Sequence, residues 1–375
     1  MNPRIYLSLA CMGGRELHFI QEAFATNWVV PLGPNVEAFE QSLSDYIGEG
    51  RQVVALSSGT AAIHLALILL GVQANDEVIC QSFTFIATAN PVVYLGAKPV
   101  FVDSETDTWN MDPVLLEEAI IDRLRQTGKL PKAIIAVHLY GMPAKMKEIM
   151  EVADKYEIPV VEDAAEALGS ALNGRKCGAL GDFGILSFNG NKIITTSGGG
   201  ALVCRTEEQA NRTMFYATQA RDQAPFYQHS HTGYNYRMSN ICAGIGCGQM
   251  LVLENYVARR KGIHRLYTNC LNDKPGITIM QSPASNYNSN FWLTCLLIDP
   301  KKAGKSNDEI RMKMEANNIE TRPLWKPMHL QPVFSGATAY VNGTSERLFN
   351  MGLCLPSGSM LTDDDILRIT SVIRN

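Results

Sequence analysis

Three short stretches of this 375-residue chain place reactive residue types at the ends of apolar runs. In the first, Ser57-Ser58-Gly59-Thr60 stands between a β-branched run and the helical stretch 61–70. Small polar residues at a strand–turn–helix junction expose backbone N–H groups and the positive end of a helix, which suits a phosphate. Gly59 permits close approach and the Thr60 hydroxyl can donate, although an ordinary capped helix start accounts for the same residues. In the second, Asp163 follows Val160-Val161-Glu162, at the strand edge where open α/β sheets bind ligands. A carboxylate there can keep a ring nitrogen protonated by ion pairing, or simply cap a helix. In the third, Ser187-Phe188-Asn189-Gly190-Asn191-Lys192 leaves an apolar strand and runs on to Thr195-Thr196-Ser197-Gly198-Gly199-Gly200. A lysine withdrawn from water in so weakly charged a segment is costly without a function, and a neutral lysine amine forms imines with carbonyls. The plain alternative is an exposed turn lysine. His229 and His231 lack nearby acidic or thiol partners and read as solvated loop residues, so no metal site is expected. Arg259-Arg260-Lys261 reads first as a solvated helix face and only second as a ligand site.

The elements that must position these residues alternate along the chain. Strands are expected at 53–56, 77–80, 99–103, 133–138, 159–162, 184–188 and 201–204, with helices such as 61–70, 112–127 and 144–156 between them. Near-continuous apolar strands alternating with helices predict an α/β fold whose mainly parallel sheet is covered on both faces. A long helix is expected over 243–266. Beyond about residue 269 the pattern changes to a strand at 291–298, a helix at 307–317 and a last helix from 363, which reads as a smaller α+β domain. The composition is ordinary for a globular protein, with 46% hydrophobic and 19% charged residues. With 33 Lys and Arg against 37 Asp and Glu, the net charge of −4 argues against nucleic acid or a membrane surface as partner. Nine scattered cysteines without a C-x-x-C pair predict neither a disulfide framework nor a zinc site. The start imitates a signal peptide only faintly, no run is long enough to span a bilayer, and a cytoplasmic location is expected.

Taken jointly, Gly59-Thr60-Ala61, Ser82-Phe83-Thr84-Phe85-Ile86-Ala87-Thr88, Glu162-Asp163-Ala164-Ala165 and Ser187-Phe188-x-x-Asn191-Lys192 resemble the DegT/StrS-type sugar aminotransferases. The resemblance runs from Met12-Gly13-Gly14 to Leu355-Pro356-Ser357-Gly358. It is closest to transaminases of the UDP-N-acetylbacillosamine pathway, through Asn189-Gly190-Asn191-Lys192-Ile193-Ile194 with the Thr and Gly run after it, and through Thr321-Arg322-Pro323-Leu324-Trp325-Lys326 with Met328-His329.

That resemblance implies an aspartate-aminotransferase-like fold of type I. Its large domain would hold a mainly parallel seven-stranded sheet, beside a smaller C-terminal α+β domain. An N-terminal arm and substrate loop would span 1–34, the cofactor-binding domain 35–255 and the small domain 256–375. It also implies pyridoxal 5′-phosphate (PLP), carried on Lys192, with Asp163 paired to the ring nitrogen and Phe85 stacked on the ring. Gly59, Thr60 and Ser187 would hold the phosphate. Asn235 would reach the cofactor phosphate of a neighbouring subunit in a homodimer with shared sites. Asn27, Trp28, Val29, Val30, Arg237, Arg322, Trp325 and His329 would line a sugar-nucleotide pocket, with Ser345 and Glu346 as further candidates. For Trp325 a place in the core is an equal alternative. L-Glutamate would donate the amino group and a UDP-4-keto-6-deoxy-N-acetyl-hexosamine would accept it. The rivals are another nucleotide keto-sugar, the dehydratase branch that has histidine in place of the lysine, and a non-catalytic binding protein. Two departures stand out: Ser197 begins a run that elsewhere reads Gly-Glu-Gly-Gly, and Glu166 stands where many members have Gln or His. A carboxylate beside a phenolate repels unless it is protonated or turned away, so the role of Glu166 near the cofactor is left open.

Overall fold

The computed structural model describes residues 3–375. Eight strands form its main sheet in the order Gln52–Leu56, Gly200–Cys204, Phe183–Ser187, Val160–Asp163, Ala133–Val137, Glu77–Gln81, Lys98–Val102, Ala339–Tyr340. Gly200–Cys204 runs antiparallel to both its neighbours, and every other pair is parallel. The seven expected strands are all present. The eighth, Ala339–Tyr340, comes from the C-terminal part of the chain and extends the Lys98–Val102 edge. Two residues carry no periodic signal, so this strand is invisible in the sequence.

The apolar character of the strands follows from burial on both faces. Ile134 and Val160 enter one core with Phe39, Leu43 and Leu186, while Ile135 and Val161 enter the other with Leu65, Leu67 and Phe101. Because side chains alternate across a strand, consecutive apolar residues are required. The helix Gly59–Leu69 lies over the sheet and is buried almost all round.

A four-stranded antiparallel sheet, Ile277–Ile279, Thr294–Ile298, Gly352–Leu355, Arg322–Pro323, forms a separate core with the helices Leu253–Leu271, Asn307–Ala316 and Asp363–Arg374. The long helix expected over 243–266 is instead two helices, Asn240–Met250 and Leu253–Leu271, bent by 62°. Apolar residues continue through the bend and neither Pro nor Gly marks it, so periodicity alone joins the two. Gly246 in the first helix lets the Phe39 ring approach to 2.7 Å of the place a Cβ would take. Among the described residues, no single helix is long and apolar enough to cross a membrane.

Candidate active site

Parallel pairing brings the carboxyl ends of the central strands to one edge of the sheet, where crossover folds open a crevice. Asp163, the last residue of its strand, is in register with Val137 on one side and Ile185 on the other. Ser187 ends the next strand opposite Gly200, and Gly200 in turn faces Leu56, where the chain turns into the helix Gly59–Leu69. A cavity of about 360 Å³ opens at this edge. Gly59, Thr60, Phe85, Asp163, Glu166, Ser187, Lys192 and Trp325 all line it, so eight of the expected residues converge from five separate segments.

One end of the cavity is a polar cup. Ser58 caps the helix by accepting the Ala61 N–H at 3.0 Å, and Gly59 and Thr60 occupy the first turn, where backbone donors have no intrahelical partner. The cup is tight: a Cβ at Gly200 would lie 2.2 Å from the Gly59 nitrogen, and one at Gly59 would lie 3.3 Å from Ser187 Cβ. Such a cradle of small residues at a helix N-terminus fits a phosphate.

The opposite wall carries the ionisable groups. Asp163 is buried and accepts the Thr88 hydroxyl at 2.7 Å and the Ala165 N–H at 3.3 Å. Burial pushes its carboxyl above the ordinary carboxylate range, against the pull of the Thr88 hydrogen bond. The neighbouring Glu162 turns to the other side, accepting from Leu180 and Gly181 N–H groups at 2.7 and 3.0 Å and from the Gly178 N–H. His138 Nδ1 accepts the Ala144 N–H, so its Nε2 carries the proton and donates to Glu162 at 2.7 Å.

Lys192 Nζ lies 3.1 Å from Glu166 Oε1 and 4.2 Å from the centre of the Trp292 ring. The other oxygen of Glu166 accepts the Tyr140 N–H at 2.7 Å. Burial raises the Glu166 carboxyl, opposed first by the charge of Lys192. Tyr140 holds this geometry with φ at 55°, in the left-handed region. Its hydroxyl accepts the Trp325 N–H at 2.9 Å. Trp325 packs against the core while lining the cavity 5.5 Å from the Phe85 ring. Phe85 itself is 56% exposed, an aromatic face at the mouth.

The remaining expected residues lie outside this cavity. Asn27, Trp28, Val29 and Val30 are exposed, with Trp28 and Val30 carbonyls fixed by Asn240. Asn235 is exposed and bridges to Thr218, while Arg237 bridges to Leu56 with its Nε buried and unpartnered. Arg322 turns to Glu320 at 2.7 Å. His329 bonds Ser82 Oγ at 2.6 Å, and burial lowers its pKa. Ser345 is buried with its N–H on Asp103, and Glu346 is exposed in the first turn of the helix Thr344–Met351. The histidines 229 and 231 are both exposed.

Thr88, Tyr140 and Trp292 belong to the site and were not singled out. Thr88 falls inside the Ser82–Thr88 motif, so the sequence did offer a signal for it. Tyr140 and Trp292 had none, because each reaches the site only through long-range packing. The basic triplet reading fails at its centre. Arg260 is 1% exposed and bonded to main-chain carbonyls and serines.

The pattern that defines the DegT/DnrJ/EryC1/StrS aminotransferases matches residues 10–374. The chain belongs to that family. EpsN of Bacillus subtilis strain 168, which bears the name of a pyridoxal phosphate-dependent aminotransferase, is 50% identical over all of this chain and 96% of its own. A GDP-perosamine synthase of Caulobacter vibrioides is 34% identical, covering 99% of this chain and 98% of its own. The crystal structure of a family aminotransferase from Brucella abortus superposes with a TM-score of 0.89 at 30% identity, over 96% of this chain and 94% of that one. The protein is thus a PLP-dependent sugar aminotransferase of fold type I. A special closeness to bacillosamine-pathway enzymes is not what these relatives show; their names point to EpsN and to perosamine synthesis.

Proposed function

We propose that this enzyme transfers the amino group of L-glutamate to C4 of a UDP-4-keto-6-deoxy-N-acetyl-hexosamine, giving UDP-4-amino-4,6-dideoxy-N-acetylglucosamine. The observation that carries the catalytic part is the convergence of Lys192, Asp163 and the Gly59–Ser187 cup on one cavity. The nucleotide and sugar rest on the resemblance of the motifs at 189–194 and 321–329, and a different nucleotide keto-sugar, such as a GDP-linked one, is the competing acceptor.

The residues present fit the cofactor: an amine, a buried carboxylate and a phosphate cradle of small residues lie around one space. When bound, PLP supplies an electron sink for the charge released at the donor's α-carbon. Lys192 Nζ would attach the cofactor and, when free, would carry the proton to and from that carbon. Asp163, oriented by Thr88, keeps the ring nitrogen protonated. Gly59, Thr60 and Ser187 would hold the phosphate, and Phe85 would cover the ring. Glu166, 3.1 Å from Nζ, stands where it takes up or returns the lysine proton. Trp325 faces the sugar at the cavity mouth. Asn235 reaches the cofactor phosphate of the neighbouring subunit in a homodimer, and Asn27, Trp28, Val29, Val30 and Arg237 line the sugar-nucleotide pocket. Arg322 and His329 line the nucleotide pocket, with Ser345 and Glu346 as further contacts. In this reading residues 1–34 form an arm, 35–255 the cofactor domain and 256–375 the small domain.

An absorbance scan tests the proposal. L-Glutamate should bleach the visible band of the PLP-loaded enzyme, and a UDP-4-keto-6-deoxy-N-acetyl-hexosamine should restore it. Restoration by the GDP-linked sugar alone would refute the UDP assignment, and a band indifferent to glutamate would refute the donor. Lys192→Ala should fold and turn nothing over.

A further inference from the structure

Arg260 is the largest fully buried side chain among the described residues, and its surroundings are unusual for a cation. Its Nη1 donates to the Trp292 carbonyl. Its Nη2 donates to Ser8 Oγ at 3.0 Å and reaches the Lys192 carbonyl at 3.4 Å, and its Nε donates to Ser359 Oγ at 3.3 Å. Every acceptor is neutral, and among the described residues no carboxylate pairs with it. Burying a guanidinium without an anion forfeits hydration for modest return, so folding stability alone is a poor reason for this placement.

Three of these four acceptors lead to Lys192. The Asn191 carbonyl, on the peptide that leads into Lys192, accepts from Ser8 Oγ at 2.8 Å and from the Trp292 indole N–H at 2.8 Å. The Lys192 carbonyl, on the peptide that leads out, takes Arg260 itself. The indole ring of Trp292 covers Lys192 Nζ at 4.2 Å. One guanidinium therefore ties down the main chain on one side of the lysine, supports the serine that ties the other, and anchors the roof over its amine. Resting on the assignment of Lys192 as the attachment point, we infer that Arg260 is a positioning residue that fixes where the reactive amine sits relative to the cavity.

Covalent attachment separates this role from a merely structural one. Wild type, Arg260→Met, Arg260→Lys and Ser8→Ala are mixed with PLP, quenched with borohydride at intervals, and the label on Lys192 is measured by mass spectrometry. Non-covalently held PLP is measured alongside. Loss of alignment at a reacting atom should slow labelling of Arg260→Met on the order of ten- to a hundredfold, with PLP still retained by the phosphate cup. Arg260→Lys should recover part of the rate, and Ser8→Ala, which leaves the helix packing untouched, should show a smaller slowing. Labelling of Arg260→Met at the wild-type rate overturns the inference, even if its thermal stability falls. Should Arg260→Met fail to fold, Ser8→Ala decides: slower labelling supports the inference and wild-type labelling overturns it. A wild-type protein that takes no label at Lys192 would instead strike at the assignment of the lysine.

Discussion

Replacing Thr88 by Val should weaken PLP binding in a way that depends on pH. The Thr88 hydroxyl bonds Asp163 Oδ2 at 2.7 Å and Thr84 Oγ1 at 2.8 Å, in a fully buried setting where water offers no substitute. A hydrogen bond to a charged group is worth about 1.5–3 kcal/mol, which corresponds to roughly ten- to a hundredfold or more in a binding constant. How much of that reaches the cofactor depends on what Asp163 does beforehand. Burial raises its carboxyl above the ordinary range, so the lower the pH, the larger the share of the empty protein in which Asp163 is protonated and the Thr88 bond to the anion forms only on loading. The full loss then appears in the affinity. As pH rises, the empty protein ionises unaided, both states contain the same bond, and the difference shrinks. Affinity is measured as PLP retained after dialysis, or by quenching of intrinsic fluorescence, at mildly acid and mildly alkaline pH. Wild-type affinity at both, or an equal loss at both, would refute this account of how Asp163 is tuned.

Two further substitutions probe the scaffold. Glu40 accepts the Ala55 N–H at 2.8 Å, and burial pushes its carboxyl up from 4.5 to about 7. A raised carboxyl favours the fold at low pH, and that contribution is lost as pH rises from its ordinary value through about 7. Glu40→Gln, which cannot ionise, should therefore exceed wild type in stability above neutrality by about 1–3 kcal/mol, allowing for partial exposure, and lose that advantage in acid. Urea unfolding at the two ends of this range checks it; a constant difference between the proteins would count against it. Gly200→Ala should damage the phosphate cup, because its Cβ would fall 2.2 Å from the Gly59 nitrogen and 2.3 Å from the Ser58 carbonyl carbon. Overpacking of this kind costs about 1–3 kcal/mol, here read as a drop in PLP content after purification. Full PLP content in Gly200→Ala would show that the cup yields more easily than its geometry implies.

What was legible in the sequence is what a strand end can announce locally. Asp163 ends one apolar run, Ser187 and Lys192 end and follow a second, and Gly59 and Thr60 follow a third. Since parallel strands deliver their carboxyl ends to one edge, reading the strands was nearly equivalent to reading the cavity. The strand at Ala339–Tyr340 and the bend after Met250 escaped because neither leaves a periodic trace. Arg260 escaped for a different reason. Within Arg259-Arg260-Lys261, local polarity assigns all three to solvent, and only Ser8, Lys192, Trp292 and Ser359, brought from four separate parts of the chain, supply the acceptors that make burial of the middle one tolerable. Glu166 shows the same limit from the acidic side. Beside a cofactor phenolate alone it reads as a repulsive carboxylate, yet the structure gives it the Tyr140 N–H on one oxygen and the Lys192 amine on the other. A buried charge is interpretable only with its partners, and here the partners come from the left-handed turn at Tyr140 and the far side of a Gly-rich loop. That is why Lys192 stands out among its own neighbours in the sequence, while the groups that hold and cover it emerge only from the fold.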